Sequence, residues 1–381
     1  MMRKILYISG TRADYGLMRH TLYAIRRHPT LVIEVAAAGM HLMPEFGLTI
    51  NEVKNDKFIV HEIHATYERD DKESMARFLA TCIINLTGII KDEKPDILLV
   101  LGDRAEMLAG AIAGAYLGIP VFHIHGGDKS SDMDEIARHA ITKLSHIHLA
   151  ATKTSAKRII YMGEDAWRVF VVGAPGLDSI LQEKLFTAAE IINKYHIEKT
   201  RPIIIVVQHP VTQEAHEASK QIKETLEAVR ELGYQTILIY PNADAGGRSM
   251  IQVIERYRRY PFIHIYKNVS HKEYLSLMNI ANVMVGNSSS GIIEAPSFHL
   301  PFVNIGTRQK GRERGVNVID AGCEKNEIKQ AVQKALFDTR FIKKIKTAKN
   351  PYGEGRTAQK ITKLLSEIPI DARLLRKQIT Y

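Results

Sequence analysis

Polar side chains that can move protons follow two short apolar runs in the first half of this 381-residue chain. Asp103 comes just after one run, and His125 and Asp128 come just after the next. Carboxylates and imidazoles are the usual general acids and bases of enzymes. An Asp in this position can also cap the following helix, so position alone leaves both roles open. We take Asp103 and His125 as candidate acid or base groups, with Asp128 and Arg104 beside them.

Three further charged side chains have positions that suit a binding cleft. Asp134 and Arg138 lie one helical turn apart, so both side chains share one face of a predicted helix. His209 ends an apolar run in the second half of the chain, where an imidazole can act as an acid, a base or a phosphate ligand. A surface ion pair and a structural histidine are the ordinary alternatives. The histidines and carboxylates match no metal-ligand motif, so we expect no metal.

Two glycine-containing loops, each opening a predicted helix, suit a phosphate group. The first, 10–16, contains Arg12 and Asp14, and the second, 286–294, carries three consecutive serines and ends at Glu294. A helix start attracts anions, and hydroxyls and a guanidinium add hydrogen-bond donors. Glu294 falls in the predicted first turn, where its carboxylate can accept ribose hydroxyls. The alternative is a serine-capped helix, and the Gly-Lys-Ser/Thr ending of a Walker A loop is missing.

Apolar runs that alternate with amphipathic helices must hold these loops in place. Continuous apolar strands between helices are typical of a parallel sheet covered on both faces. The alternation pauses at Gly173-Ala174-Pro175-Gly176 and then restarts, which predicts two doubly wound α/β halves. Ligands of such sheets bind outside the carboxyl ends of the strands. We therefore expect two Rossmann-like domains that face each other across one cleft, with Asn242 and Asp244 as sugar-hydroxyl ligands.

The composition is that of an ordinary globular protein and excludes several classes. Hydrophobic residues make up 45% and charged residues 25% of the chain, which rules out a largely disordered or fibrous protein. The net charge is +10, but the basic residues are scattered, so we expect no nucleic-acid partner. Two cysteines cannot build a disulfide framework. We see no signal-peptide pattern and no apolar stretch near the roughly 20 residues of a membrane span, and we expect a cytoplasmic protein without a membrane partner.

Taken together and in order, the loop motifs resemble those of one family, the hydrolysing UDP-N-acetylglucosamine 2-epimerases. Single motifs are unspecific, whereas the ordered set covers nearly the whole chain. The matching pieces are Gly10-Thr11-Arg12-Ala13-Asp14-Tyr15-Gly16, Gly102-Asp103-Arg104, His123-Ile124-His125-Gly126-Gly127, Asp134-Glu135, Arg138-His139-Ala140, Gly173-Ala174-Pro175-Gly176, Gln208-His209-Pro210, Pro241-Asn242-Ala243-Asp244, Gly286-Asn287-Ser288-Ser289-Ser290-Gly291 and Asn350-Pro351-Tyr352-Gly353.

The resemblance implies a fold, a reaction and a partner. The fold is the glycosyltransferase-B type, with 1–173 as a Rossmann-like domain, 174–355 as a second, nucleotide-binding one, and 356–381 as a C-terminal helix that packs back on the first. The reaction converts UDP-N-acetylglucosamine and water into N-acetylmannosamine and UDP without metal or cofactor, and the product feeds sialic acid synthesis. Some relatives act on a 2,4-diacetamido-trideoxy sugar nucleotide, toward legionaminic acid. Family members commonly form homodimers or homotetramers.

The resemblance also implies roles for the loop residues. A base removes the C2 proton while UDP leaves C1, and water then adds to the 2-acetamidoglycal with the opposite configuration at C2. The implied catalytic residues are Asp103, His125, Asp134 and His209. The implied substrate-binding residues are Arg12, Asp14, Arg104, Asp128, Arg138, Asn242, Asp244, His271, Ser288, Ser289, Ser290, Gly291 and Glu294. Which carboxylate is base and which is acid stays open, because a sequence gives no distances.

The chain departs from the family pattern at two positions. Members commonly read His-x-Glu-Gly-Gly-Glu, whereas this chain has His125 and Asp128 at the two acidic positions. An imidazole can replace a carboxylate as a base, so we hypothesise that His125 takes part in the reaction. Three alternatives stay open. They are the non-hydrolysing epimerase, which typically has Gly-Thr-Arg-Pro-Glu after the first strand, a glycosyltransferase of the same fold, and an inactive nucleotide-sugar binding protein.

Overall fold

The computed structural model describes residues 2–130, 133–198 and 200–381, and their strands form two fully parallel sheets. The first sheet, in spatial order β3-β2-β1-β4-β5-β6-β7, contains β1 (Arg3–Ser9), β2 (Leu31–Ala37), β3 (Ile59–Glu62), β4 (Ile97–Leu101), β5 (Val121–Ile124), β6 (Ile147–Ala150) and β7 (Val169–Val171). The second, in the order β10-β9-β8-β11-β12-β13, contains β8 (Ile203–Val207), β9 (Gln235–Ile239), β10 (Ile263–Tyr266), β11 (Val283–Gly286), β12 (Phe302–Ile305) and β13 (Val318–Ala321). Both orders are doubly wound, which confirms the predicted fold class.

Helices connect the strands and cover both faces of the sheets. They are α1 (Arg12–Arg27), α2 (Ile50–Asn55), α3 (Lys72–Glu93), α4 (Ala105–Leu117), α5 (Met133–Leu144), α6 (Lys153–Tyr161), α7 (Gly176–Gln182), α8 (Ala188–Tyr195), α9 (Ala218–Leu232), α10 (Gly247–Glu255), α11 (His271–Ile280), α12 (Ser290–Ile293), α13 (Lys325–Phe337), α14 (Thr339–Lys346), α15 (Thr357–Glu367) and α16 (Ala372–Leu375). In β1, Ile5 and Tyr7 enter the core on one face, and Leu6 and Ile8 enter the core on the other. Burial on both faces is why the strand reads as a continuous apolar run.

Two edge strands are missing from the sequence-based prediction. β3 reads Ile-Val-His-Glu and β13 reads Val-Ile-Asp-Ala, and all their residues are partly or fully exposed. An edge strand buries less surface than a central one and can contain polar residues. It therefore lacks the continuous apolar run that identifies a strand in the sequence. The helix expected from the three serines is also shorter than expected. α12 has a single turn, and Glu294 follows its end instead of lying in its first turn.

The chain returns to the first domain after it has completed the second. α15 packs against α1, and Ile361, Leu365 and Leu374 lie in the hydrophobic core on one face of the first sheet. We propose on these contacts that the chain divides into 1–173, 174–355 and 356–381.

A buried arginine and a partly buried lysine hold the C-terminal tail on the first domain. Arg168 donates a hydrogen bond of 2.8 Å to the carbonyl oxygen of Leu374. Lys377 Nζ donates to the carbonyl oxygen of Ser145, just after α5, and lies 2.7 Å from the buried carboxylate of Glu164. The carboxyl end of α5 is therefore fixed by the tail of the chain.

Among the described helices, α3 is long and apolar enough to cross a membrane by length and composition, which the sequence prediction did not anticipate. Phe78, Cys82, Leu86 and Ile90 form a stripe on this helix and are buried in the core of the first domain. A core helix of a globular domain satisfies the same criteria, so length and composition alone are weak evidence that α3 crosses a membrane.

Candidate active site

A cavity of about 300 Å³ lies where the carboxyl ends of the strands of both sheets meet. Most of the predicted site residues line it, namely Arg12, Asp14, Asp103, Arg104, His125, Asp128, Arg138, His209, Asn242, His271, Ser288, Ser289, Ser290 and Glu294. The fold therefore brings together residues that lie almost 300 positions apart in the chain, as the alternation of strands and helices predicts.

Three predicted site residues do not line the cavity. Asp134 pairs with Arg308, which does line it, and Asp244 accepts a hydrogen bond from Asn242. Gly291 has a packing role, because a Cβ at this position would come within 2.4 Å of the Phe302 ring on β12. Glycine thus lets the start of α12 approach the sheet closely.

Asp103 follows β4 and faces a buried guanidinium. Its carboxylate forms an ion pair with Arg138, whose Nη1 also donates to the carbonyl oxygen of Asp128 at 3.1 Å and to Ser130 Oγ at 3.0 Å. Arg104, and not Asp103, occupies the N-cap position of α4, and no side chain caps this helix. The alternative of a capping Asp is therefore not realised, and the Asp103 carboxylate is available to a ligand in the cavity.

His125 and Asp128 form a hydrogen-bonded pair in the loop after β5. His125 has a left-handed backbone (φ 61°), and its Nδ1 lies 2.9 Å from Asp128 Oδ2. Ser155 donates to the other oxygen, Oδ1, at 2.6 Å. Burial alone would raise the pKa of Asp128, but the hydrogen bond from His125, the charge of Arg312 and the Ser155 hydroxyl lower it. An ionised Asp128 places the proton on Nδ1, so Nε2 of His125 is free to accept a proton.

His209 follows β8 and is fixed by backbone groups of its own domain. Its Nδ1 accepts a hydrogen bond of 3.1 Å from the backbone N–H of Asn242. Burial, with the charges of Arg308 and Arg104, lowers its pKa well below the ordinary value. The imidazole is therefore neutral with its proton on Nε2, and it offers a hydrogen-bond donor to a ligand in the cavity.

Unpaired donors and hydroxyls line one part of the cavity. Arg12 Nε and Nη1 and His271 Nε2 are buried without a hydrogen-bond partner among the described residues. Across the cavity, Ser290 Oγ lies 2.6 Å from the Tyr274 hydroxyl and 2.9 Å from Ser288 Oγ. Buried donors without partners are costly. A ligand rich in acceptor oxygens, such as a diphosphate, would satisfy them.

Glu294 adds a buried carboxyl group near the same loop. It is 3% exposed, and burial raises its pKa to about 7, against smaller opposing effects of His125 and Arg312. Two ribose hydroxyls would donate hydrogen bonds to this carboxylate and so replace those that water gives to an exposed one. The ribose contact of Glu294 stays a prediction, and the position of the residue, after α12 instead of in its first turn, differs from the prediction.

Asp14 lies at the cavity but serves its own loop. Its carboxylate accepts hydrogen bonds from the backbone N–H groups of Gly10 and Thr11 and from the hydroxyls of Ser9 and Tyr7. These donors occupy both carboxylate oxygens, so the residue shapes the loop that carries Arg12. We propose a structural role for Asp14 in place of the expected substrate contact.

Sequence reasoning missed two cavity arginines, Arg308 and Arg312. Both follow β12, and the side chain of Arg308 is 12% exposed. The segment 307–315, Thr-Arg-Gln-Lys-Gly-Arg-Glu-Arg-Gly, is the densest basic stretch that follows a strand of the second domain, and this charge was the signal available.

A carboxylate and imidazole cluster with metal-ligand spacing lies away from the cavity. Glu34, His61 and Glu93 have ligand atoms within 4.8 Å of one another in the part of the chain that the structure describes. Lys4 Nζ already lies 2.9 Å from Glu34 and 2.6 Å from Glu93. An ammonium group therefore balances this cluster.

Comparison with known proteins identifies relatives over the whole chain. The model of a family described as UDP-N-acetylglucosamine 2-epimerase matches residues 23–366. A protein of Legionella pneumophila named UDP-N,N'-diacetylbacillosamine 2-epimerase (hydrolyzing) is 41% identical, with all of both chains covered. A Neisseria meningitidis protein named UDP-N-acetylglucosamine 2-epimerase is 35% identical over 89% of each chain.

Solved structures share the fold. The crystal structure of UDP-GlcNAc 2-epimerase from Neisseria meningitidis bound to UDP-GlcNAc has a TM-score of 0.80 at 20% identity, over 95% of this chain and 99% of that one. The complex of the Methanocaldococcus jannaschii enzyme with UDP-GlcNAc and UDP has a TM-score of 0.79 at 20% identity, over the same shares of the two chains.

Proposed function

The chain belongs to the UDP-N-acetylglucosamine 2-epimerase family, and from this membership we propose that it is a hydrolysing 2-epimerase. On this proposal it takes a UDP-linked 2-acetamido sugar and water, and it releases UDP and a free sugar with the opposite configuration at C2. The observation that carries the proposal is the cavity itself. Proton-transfer groups of the first domain there face unpaired donors and serine hydroxyls that suit a diphosphate.

Two sugars are candidates, and the relatives favour one of them. The Legionella pneumophila relative, named for UDP-N,N'-diacetylbacillosamine, is more similar to this chain than the Neisseria meningitidis relative, named for UDP-N-acetylglucosamine. We therefore propose UDP-linked 2,4-diacetamido-2,4,6-trideoxyglucose as the substrate and UDP-N-acetylglucosamine as the second candidate. The two sugars differ at C4 and C6, so the same chemistry at C1 and C2 serves both.

The first step is an elimination. A base removes the proton from C2, the C2–H electron pair forms the C1=C2 double bond, and the C1–O bond breaks with its electron pair going to UDP. His125 suits the base, because Asp128 orients its imidazole and leaves Nε2 free. The buried donors of Arg12 and the Nε2–H of His209 suit the charge that develops on the leaving diphosphate.

The second step is a hydration. Water adds to the 2-acetamidoglycal with its oxygen on C1 and a proton on C2, delivered to the face opposite the one that lost the first proton. This step needs an acid for C2 and a base for water. Asp103, which faces Arg138, and Asp134, which faces Arg308, are the candidate groups. Groups on both faces of the sugar are what inversion at C2 requires.

Proton NMR in D2O tests the proposal directly. The purified protein is incubated with each of the two UDP-sugars, and we expect UDP and the free 2-epimeric sugar with deuterium at C2. A product that keeps its UDP would instead identify a non-hydrolysing epimerase. If both UDP-sugars stayed intact although the protein binds UDP, the protein would be an inactive nucleotide-sugar binding protein.

A further inference from the structure

An ion pair at the edge of the cavity joins the two domains. Asp134, near the start of α5 in the first domain, lies 2.7 Å through Oδ2 from Arg308 Nη2, in the loop after β12 of the second domain. The two side chains are 23% and 12% exposed. Asp134 is a candidate for the proton transfers at the sugar. In this pair the guanidinium of Arg308 occupies Oδ2 of the Asp134 carboxylate.

The same guanidinium also reaches the loop that suits the diphosphate. Arg308 Nη1 donates at 3.3 Å to the carbonyl oxygen of Asn287, the residue directly before the three serines. Gln309 Nε2 donates to that same oxygen at 2.8 Å. Arg308 can therefore turn away from Asn287 without leaving a buried carbonyl oxygen unpaired, which would otherwise oppose the movement.

Charge favours such a movement when a nucleotide sugar binds. A guanidinium binds a diphosphate with two parallel hydrogen bonds, and a diphosphate carries more negative charge than one carboxylate. Asp244 lies close enough to Asp134 for their charges to interact, but Arg104 is the cation that acts most on Asp244, whereas Arg308 is paired with Asp134. Asp244 therefore keeps a cationic neighbour when Arg308 turns towards the diphosphate, whose binding loop Arg308 already contacts.

We propose that Arg308 is a substrate-binding residue that exchanges partners, leaving Asp134 for the diphosphate of the bound nucleotide sugar. The exchange frees the Asp134 carboxylate for proton transfer when the substrate is in place. This inference rests on the proposed function, because it takes a UDP-sugar as the ligand. It makes Asp134 a competitor of UDP for the same guanidinium.

A double-mutant cycle read by calorimetry tests the exchange. UDP affinity is measured for the wild type, Arg308→Gln, Asp134→Asn and the double variant, with uridine as the ligand that lacks the diphosphate. We expect Arg308→Gln to weaken UDP binding about tenfold or more, since a charged hydrogen bond is lost. We expect Asp134→Asn to tighten UDP binding about three- to fivefold, the range of a partly exposed ion pair. Uridine affinity should change in neither variant.

The double variant separates the exchange from simple charge repulsion. If Asp134 acts through Arg308, Asp134→Asn has no effect on UDP affinity in the Arg308→Gln background. An equal gain in both backgrounds, or no loss in Arg308→Gln alone, would overturn the proposal. Arg314→Gln is the matched control, because Arg314 lies on the same loop but pairs with Asp320 within the second domain. If the wild type binds no UDP, the proposed function fails instead, so the two failures are distinguishable.

Discussion

Glu294 shows how a buried carboxyl group can serve binding at the expense of stability. Its pKa of about 7, raised by burial from 4.5, means that the folded protein disfavours the ionised form. Between pH 4.5 and 7 the unfolded state loses its proton first, so the carboxylate destabilises the fold increasingly as the pH rises. At pH 8 the full effect is present, on the order of 2–3 kcal/mol.

Glu294→Gln should therefore stabilise the free protein and weaken the nucleotide complex. At pH 8 we expect the variant to have a higher free energy of unfolding than the wild type, and we expect this difference to disappear towards pH 5. We also expect the variant to bind UDP about tenfold more weakly. Urea unfolding at the two pH values and calorimetry with UDP measure both effects. Glu354→Gln, at an exposed position, is the control. A stability difference that does not vary with pH would contradict the account.

His125 and Asp128 should differ in how much activity each one supports. We expect His125→Ala to lower kcat about 10²- to 10⁴-fold, because a positioned base is lost. Asp128→Asn leaves the imidazole but replaces the carboxylate, whose two oxygens bind His125 and Ser155, with an uncharged amide that has one acceptor oxygen, so its loss should be smaller. Initial rates of UDP release measure both variants, and His216→Ala, with a side chain 77% exposed, is the control. Undiminished turnover in His125→Ala would remove His125 from the reaction.

For individual residues, the sequence predicts which of them lie close together in the fold, but not where each side chain points. Motif order placed His125, His209 and the serines around one cavity, because strand ends converge in any doubly wound sheet. The same motif placed Asp14 there as well, although its carboxylate turns back into its own loop. Arg308 was missed because an arginine on an irregular loop has no periodicity that reveals it.

Among the secondary-structure elements, α5 is held at both ends by contacts with distant parts of the chain. Asp134 meets the second domain near its start, and the C-terminal tail reaches its end through Lys377. Glu164 joins these parts, with Oε1 2.7 Å from Lys143 Nζ and Oε2 3.0 Å from His148 Nε2. Burial alone would raise the pKa of Glu164, but hydrogen bonds from His148, Lys143 and Lys377 lower it to about 2.

Glu164→Gln should lower stability in a pH-dependent way. Because the pKa of Glu164 is lower in the folded state than its ordinary value of 4.5, the ionised carboxylate stabilises the fold above pH 4.5. This stabilisation is lost as the pH falls towards 2. We expect the variant to unfold with about 3 kcal/mol less free energy at pH 7 and with a smaller deficit at pH 3. Urea unfolding at both pH values measures this. A deficit that stays constant would point to lost packing rather than lost charge.

Elements with strong patterns were predictable and weakly buried ones were not. The central strands and the helices α3 and α9 have periodicities that specify them, whereas the edge strands β3 and β13 have too few buried positions to stand out. The sequence pattern predicts a helix from about Glu214 to Leu232, whereas α9 begins at Ala218 because a 3₁₀ segment, Thr212–Glu217, precedes it. Gly291 lets the single turn of α12 lie close to Phe302, a long-range contact that no local pattern encodes.

On the scale of the whole molecule, one carboxylate caps a helix of the opposite domain. Asp70, in the loop before α3, accepts hydrogen bonds from the backbone N–H groups of Gly246 at 2.8 Å and Ser249 at 3.0 Å, at the start of α10. This cap exists only while the domains are closed. It therefore stabilises the closed form relative to the open one, in which the start of α10 faces water.

Asp70→Ala should weaken substrate binding without weakening either domain. A lost N-cap costs about 0.5–2 kcal/mol, so we expect KM to rise by roughly 2- to 30-fold while the unfolding transition stays in place. Asp71→Ala is the matched control, because the neighbouring carboxylate caps α3 within its own domain, at 2.7 Å from the Ser74 N–H. The control should lower the melting temperature and leave KM unchanged. If Asp70→Ala lowered the melting temperature and left KM unchanged, Asp70 would not act on domain closure.

The return of the chain to the first domain also has a consequence for biosynthesis. The core of that domain contains Ile361, Leu365 and Leu374, so it stays incomplete until these residues have left the ribosome. The second domain, 174–355, has all of its strands before that point. Although domains usually fold in the order in which they are made, the N-terminal domain here has to finish last. Nascent chains arrested before residue 357 should therefore expose the first domain to protease while the second is already protected.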